Sequence, residues 1–200
     1  LFTHLHVDHF SAAWVQRFLE AHPAVPLYLP AGNGGAGVDP GINALRQYLM
    51  AHASPVRELR LPSDRPVCYP LCPGLRVTAF YAQHDGADFQ DTEHYCLMLT
   101  LGERNVLFLG DAAQDVDYFS GVLPGVSIDT VITNPLFLNR PAGRQVLQLL
   151  RPEKIVVDHI RFAWEDRMRF REMVVRNVRR WQEQLPPIQV LWEPLDQIAL

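Results

Sequence analysis

Thr3-His4-Leu5-His6-Val7-Asp8-His9 places three imidazoles and a carboxylate within six consecutive positions. Leu1 and Phe2 read as the end of an apolar strand, and the residues from Ser11 onward as a helix. The cluster therefore falls on a strand-to-helix turn. Imidazole and carboxylate are the donors that divalent transition metals take. On such a turn His4 and His6 share one side while Asp8 and His9 lie at the helix start, so one short loop can serve two neighbouring ions. A single His near a strand end is more often structural; a cluster of this density reads as a metal site.

The pattern His4-x-His6-x-Asp8-His9 resembles the signature of the metallo-β-lactamase-fold hydrolases. Three further motifs of that family follow in the family's order. His84 comes after the strand Ala79-Phe80-Tyr81-Ala82-Gln83, Asp111 closes Phe108-Leu109-Gly110-Asp111, and His159 closes Val156-Val157-Asp158-His159. The resemblance implies an α/β chain built as a four-layer αββα sandwich of the metallo-β-lactamase type. The family places several strands ahead of the first signature and the sequence has no initiating Met. The expectation is thus one domain over residues 1–200, lacking its N-terminal strands.

Five His and two carboxylates suit two ions better than one. By the resemblance, His4, His6 and His84 hold the first, Asp8, His9 and His159 hold the second, and Asp111 bridges them. Two such cations acidify a shared water and clamp a substrate oxygen. Asp8 is then both ligand and the expected acceptor of the nucleophile's proton. Zinc is the default for mixed imidazole and carboxylate donors, with manganese or iron as alternatives. His94 stays open between a substrate-contacting or proton-donating role and a surface His that begins a strand.

With 200 residues, 48% of them hydrophobic, the chain can bury a single core. The net charge of −4 gives no global drive toward nucleic acid. Cys68, Cys72 and Cys96 are too few for a disulfide framework or a four-Cys zinc site, and reduced thiols fit a cytoplasmic setting. No apolar run reaches the roughly 20 residues of a membrane span.

In order along the chain, an amphipathic helix is predicted over 11–22, with Trp14, Val15, Phe18 and Leu19 on or near one face. His22 and His52 are expected as structural residues at helix C-termini. A strand over 26–30 leads to Gly32-Asn33-Gly34-Gly35-Ala36-Gly37. This matches G-x-G-x-x-G, but four residues intervene before the next helix and no GK[ST] follows. It reads as a mobile loop near the mouth of the site rather than a nucleotide cradle. Strands are expected over 55–61 and 74–83, joined by a Pro-rich connector, and a hairpin over 95–109 turns at Gly102. Then come a helix from 112 to about 123, strand 130–133, helix 142–150, strand 154–158, a long helix over 165–185, and strands at 188–192 and 197–200. Seven arginines between 161 and 180 read mainly as a solvated, paired face with Glu165/Arg169 and Glu172/Arg176. A basic RNA-facing patch is the lesser reading.

Within the superfamily, Leu27-Tyr28-Leu29-Pro30-Ala31-Gly32 is similar to the phosphodiesterase and ribonuclease Z branch and to the sugar-phosphate lactonase branch. Ile160-Arg161-Phe162 departs from the Ser and Arg that tRNA-processing members carry after the last His. Val7 stands where flavodiiron reductases have Glu, and Asp111 where zinc β-lactamases usually have Cys. The sequence thus points to a metal-dependent hydrolase of a phosphodiester or phosphorylated small molecule. Lactone hydrolysis and mono-iron redox chemistry are the alternatives, with an RNA-binding scaffold behind them.

Overall fold

The structure, a computed structural model, describes residues 1–32, 35–52, 54–59 and 65–198. Helix α1 (Ala12–Ala21) starts where the Ser11 hydroxyl accepts the Trp14 N–H at 3.4 Å. It ends at His22, whose ring meets Phe18. Strand β1 (Leu27–Pro30), helix α2 (Ile42–Ala51) and strand β2 (Val56–Leu59) form a parallel crossover and a two-stranded sheet. His52 closes α2, its Nδ1 donating to the Tyr48 carbonyl at 2.8 Å. Both terminal imidazoles are structural, as expected from their place at the negative end of a helix.

The second sheet runs in sequence order from β3 to β9: β3 (Val67–Cys72), β4 (Leu75–Tyr81), β5 (Tyr95–Leu101), β6 (Arg104–Phe108), β7 (Thr130–Thr133), β8 (Lys154–Val157) and β9 (Ile188–Val190). The pairs from β3 to β6 are antiparallel and those from β6 to β9 parallel. Helices α3 (Val116–Val122), α4 (Leu136–Asn139), α5 (Pro141–Leu150) and α6 (Phe170–Trp181) complete the chain.

Three apolar clusters make this a four-layer αββα stack. Val15, Leu19, Leu45 and Leu49 of the first two helices pack on Leu27 and Leu29. The opposite face of the small sheet, at Tyr28 and Leu59, meets Val77, Ala79, Tyr95 and Leu97 of the large one. On the far side Phe80, Leu107, Val131 and Ile155 are covered by Phe119, Phe137, Val146 and Leu147. Because β4 and β5 have helices on one face and a second sheet on the other, residues on both faces of these strands are buried.

Several boundaries differ from the sequence expectation. The Pro-rich connector contains a strand, β3; it is an edge strand with a register shift between Pro70 and Cys72, where a missing N–H costs little. Trp14 and Phe18 are exposed, at 69% and 52%, because the buried stripe of α1 is Ala12, Val15 and Leu19. Helix α3 begins at Val116 rather than 112, since the backbones of residues 112 and 113 are bonded to the His84 segment. Likewise α6 begins at Phe170, where the Asp166 carboxylate takes the N–H groups of Phe170 and Arg171 at 2.6 and 2.8 Å. Glu165 therefore lies outside the helix, and Arg169 pairs at 3.7 Å with Glu172 instead. Residues 197 and 198 are not in a strand. Parts of the expected strands at 60–61 and 199–200, of the Pro-rich connector at 62–64, and of the glycine loop at 33–34 lie outside the described residues. No helix among the described residues is long and apolar enough to cross a membrane.

Cys68 and Cys72 are exposed on β3, whereas Cys96 is buried, its thiol facing the Leu109 carbonyl, and burial pushes its pKa up. A thiol reagent at pH 8 is expected to label two cysteines in the folded protein and the third only after unfolding. Rapid labelling of all three would place Cys96 wrongly.

Candidate metal centre

The topology collects the seven expected residues at one edge of the large sheet. Strands β6, β7 and β8 are parallel, so their C-terminal ends share that edge, and β4 points the same way across antiparallel β5. Residues just past these ends are His84 after β4, Asp111 after β6, Asn134 after β7 and His159 after β8. The crevice beyond the carboxyl ends of parallel strands is the usual binding region of α/β sheets. His4 and His6 enter on the extended segment before α1. Val38 bridges to His6, and the Gly37 carbonyl accepts the Val7 N–H at 3.0 Å. Gly37 has φ +86°, and a Cβ there would lie 3.3 Å from the His6 ring, so Gly37 packs directly against the site.

The side chains form two adjoining groups. His4, His6 and His84 are buried; Asp8, His9, Asp111 and His159 are partly or fully exposed. Within each group the ligand-type atoms lie within 4.8 Å of one another. Asp111 Oδ2 stands between the groups, 3.1 Å from His9 Nε2 and 3.8 Å from Nε2 of His4, His84 and His159. Asp8 Oδ2 accepts from His159 Nε2 at 3.3 Å.

Each imidazole of the buried group is held by its other nitrogen. His84 Nδ1 donates to the Asp85 carbonyl at 2.6 Å, while His4 Nδ1 is hydrogen-bonded to the Thr3 hydroxyl at 3.0 Å and His6 Nε2 to the Thr92 hydroxyl at 3.2 Å. The opposite ring nitrogens are His4 Nε2, His6 Nδ1 and His84 Nε2, and two of these, His4 Nε2 and His84 Nε2, are buried with no partner. A buried nitrogen without a partner is costly unless something binds it. Three imidazoles with ligand-type atoms within 4.8 Å of one another, each ring braced by a hydrogen bond, fit a cation.

Electrostatics agree. Burial, with the neighbouring His94 and His9, brings His4 down to about 2, so it stays neutral and able to donate a lone pair. Burial raises Asp111, but the His9 hydrogen bond and the surrounding imidazoles outweigh it and hold the carboxyl below its usual range. The His159 hydrogen bond brings Asp8 down to about 2. His159 is raised, chiefly by that same bond.

All seven expected residues are thus brought together. His94 immediately precedes β5 as expected but is not at the surface. It is fully buried, its Nδ1 donating to the Ala82 carbonyl and its Nε2 accepting the Asp111 N–H. Sequence reasoning missed Thr92, Asn134 and Phe89. Phe89 packs 5.0 Å from the rings of both His6 and His84. Only the position of Asn134 past a strand end could have flagged it.

No family model matches the chain, and no curated protein matches it in sequence. Solved structures do match in fold. A mutant of CmlA β-hydroxylase superposes with a TM-score of 0.67 at 18% identity, over 95% of this chain and 42% of that one. CmlA itself, a diiron β-hydroxylase from Streptomyces venezuelae, gives 0.58 at 17% identity, with the same coverage. Igni18, a metallo hydrolase from the archaeon Ignicoccus hospitalis, gives 0.59 at 14% identity, over 96% of this chain and 74% of that one. This chain spans about two fifths of the length of the hydroxylase. The layer order, the edge at which the strands end and these superpositions establish that the chain has the metallo-β-lactamase fold.

Proposed function

We propose that this protein is a metal-dependent hydrolase that uses two divalent cations, with a phosphodiester or phosphorylated small molecule as substrate. One observation carries the reading: Asp111 Oδ2 sits between two ligand groups, within 3.8 Å of four imidazole nitrogens. His4 Nε2, His6 Nδ1 and His84 Nε2 would hold one ion, Asp8, His9 and His159 the other, and Asp111 both. The donor set suits zinc, and iron or manganese also fit. When bound, such a pair supplies an acidified water and Lewis-acid polarisation of a substrate oxygen. The chain's own contribution is to place and charge the groups around it. Asp8, ionised at neutral pH and exposed, is the acceptor for the proton that the attacking water gives up. Phe89 shields His6 and His84 from solvent on one side.

Charge favours an anionic substrate. Imidazoles are neutral when they ligate a metal, so two carboxylates around two divalent cations would leave a net charge of about +2, which attracts a phosphodiester. A lactone or other ester is the alternative, favoured by the apolar Phe89 wall. An iron enzyme acting on oxygen is a further reading, supported only by likeness in fold to a diiron hydroxylase. RNA is a lesser partner, since the arginine face is partly engaged: Arg171 bonds Glu193 at 2.7 Å, and Arg180 lies over Trp181.

Elemental analysis, followed by turnover of bis-p-nitrophenyl phosphate against a lactone panel, tests these readings. Two zinc, manganese or iron ions per chain with chelator-sensitive phosphodiester cleavage is the expected result. Lactone turnover alone would move the substrate class to the alternative. Iron with oxygen consumption and no hydrolysis would overturn the hydrolase.

A further inference from the structure

Asp111 is held by groups that belong to neither ligand cluster. Its N–H donates to His94 Nε2 at 3.0 Å, and its carbonyl accepts the Asp85 N–H at 2.8 Å. Its Oδ1 accepts from Asn134 Nδ2 at 3.1 Å, while Oδ2 faces the imidazoles. The Asn134 amide can point only one way, because Nδ2 also donates to the Gly110 carbonyl at 3.0 Å and Oδ1 accepts the Leu136 N–H at 3.0 Å. His94 is equally constrained: with Nδ1 donating to Ala82, its Nε2 carries the lone pair that the Asp111 amide needs. Gly110 makes room for this imidazole. It has φ +54°, and a Cβ there would sit 2.7 Å from His94 Nε2. Both His94 and Asn134 are buried, with their hydrogen-bonding atoms committed to the Asp111 turn and its neighbours.

We infer that Asn134 and His94 form a positioning cradle that reserves Asp111 Oδ1 for the protein and presents Oδ2 alone to the two cations. Neither residue touches a cation or substrate; each acts through Asp111, as outer-shell partners of metal ligands do. The inference rests on the two-cation reading of the site.

Calorimetric zinc titration of the full chain tests it, with Asn134→Asp, Asn134→Leu, His94→Gln and His94→Phe beside the wild type. Asn134→Asp keeps the shape and the acceptor for Leu136 but removes the donor to Asp111. Both Asn134 variants are expected to weaken the second zinc equivalent by roughly 10–100-fold. His94→Phe is expected to do the same, and His94→Gln, which can still accept the Asp111 N–H, to recover most of the loss. Hydrogen exchange of the metal-free protein should show the Asp111 amide protected in the wild type and released in His94→Phe. Unchanged zinc affinity in both Asn134 variants, or equal loss in His94→Gln and His94→Phe, would overturn the cradle. Should His94→Phe fail to fold, the isosteric Asn134→Asp decides. A wild type that binds fewer than two ions sinks the two-cation reading instead, and the cradle then stands or falls on protection of the Asp111 amide.

Discussion

Asp111→Asn is expected to end binding of the second cation and, with it, turnover. The carboxylate lies within reach of both ligand clusters, 3.1 Å from His9 and 3.8 Å from His4, His84 and His159. Its amide replacement keeps an acceptor for Asn134 but removes the negative charge that offsets repulsion between two cations. The loss in zinc affinity should exceed the roughly 100-fold upper range seen when a supporting residue is removed. The metal-free fold should also weaken, by about 2 kcal/mol, because a charge-assisted hydrogen bond from His9 is lost. The direction follows from the lowered pKa of Asp111. A carboxyl held below its unfolded value stabilises the fold at neutral pH, and this contribution disappears as pH falls. Zinc titration and thermal melts of the two proteins check both parts. Two tightly bound ions in the variant would remove the basis for a bridged site.

Gly143→Ala should destabilise the protein even though it replaces glycine inside a helix. Propensity alone predicts a gain of about 1 kcal/mol. Packing decides against it: a Cβ at Gly143 would lie 2.5 Å from Phe137 Cα, 2.7 Å from its carbonyl oxygen and 2.9 Å from its carbonyl carbon. These are backbone atoms of α4, which cannot rotate aside, and Phe137 and Leu138 are fully buried. Relieving the clash means parting α5 from α4 within a close-packed core. We expect a net loss of about 2–3 kcal/mol, a fall in Tm of roughly 5–10 °C. Gly121→Ala is the control. It lies in α3 with nothing within 4 Å of the added Cβ, so it should be neutral or stabilising. Because the Leu136 N–H that begins α4 is bonded to Asn134, displacement of α4 should also weaken zinc binding in Gly143→Ala. A melt matching that of Gly121→Ala would show that the α4–α5 contact is not close.

The ligand residues were legible through the order of the family's motifs, and His84, Asp111 and His159 each lie just past the end of a strand, whereas Leu1 and Phe2, expected to end a strand, are not in one. The runs before His84, Asp111 and His159 alternate or are continuously apolar, and the chain must leave the sheet just beyond them. Helix α1 was legible for a similar reason, with Ser11 as its cap and Pro23 beyond its end. Local patterning did less well where neighbours set the outcome. Strand β3 carries Pro70 and pairs only because β4 offers an edge. Trp14 and Phe18 share the character of Val15 and Leu19 but lie just off the stripe that meets β1. The starts of α3 and α6 were set by hydrogen bonds to the His84 segment and to Asp166, which take backbone groups a helix would otherwise use.

The sequence by itself determined the kind of site: a donor set of the type that can hold cations, and a strand order that can bring it together. The period of apolar residues also separated helix from strand along much of the chain, while the four-layer arrangement was implied by the resemblance. Tertiary structure alone decided which nitrogen of each histidine is free, which oxygen of Asp111 is left exposed, and that His94 faces a backbone amide. For His94, Asp111 and His6 the partners lie 12, 23 and 86 residues away, at Ala82, Asn134 and Thr92. A hydrogen bond depends on distance and angle in space, and the linear spacing of residues carries neither.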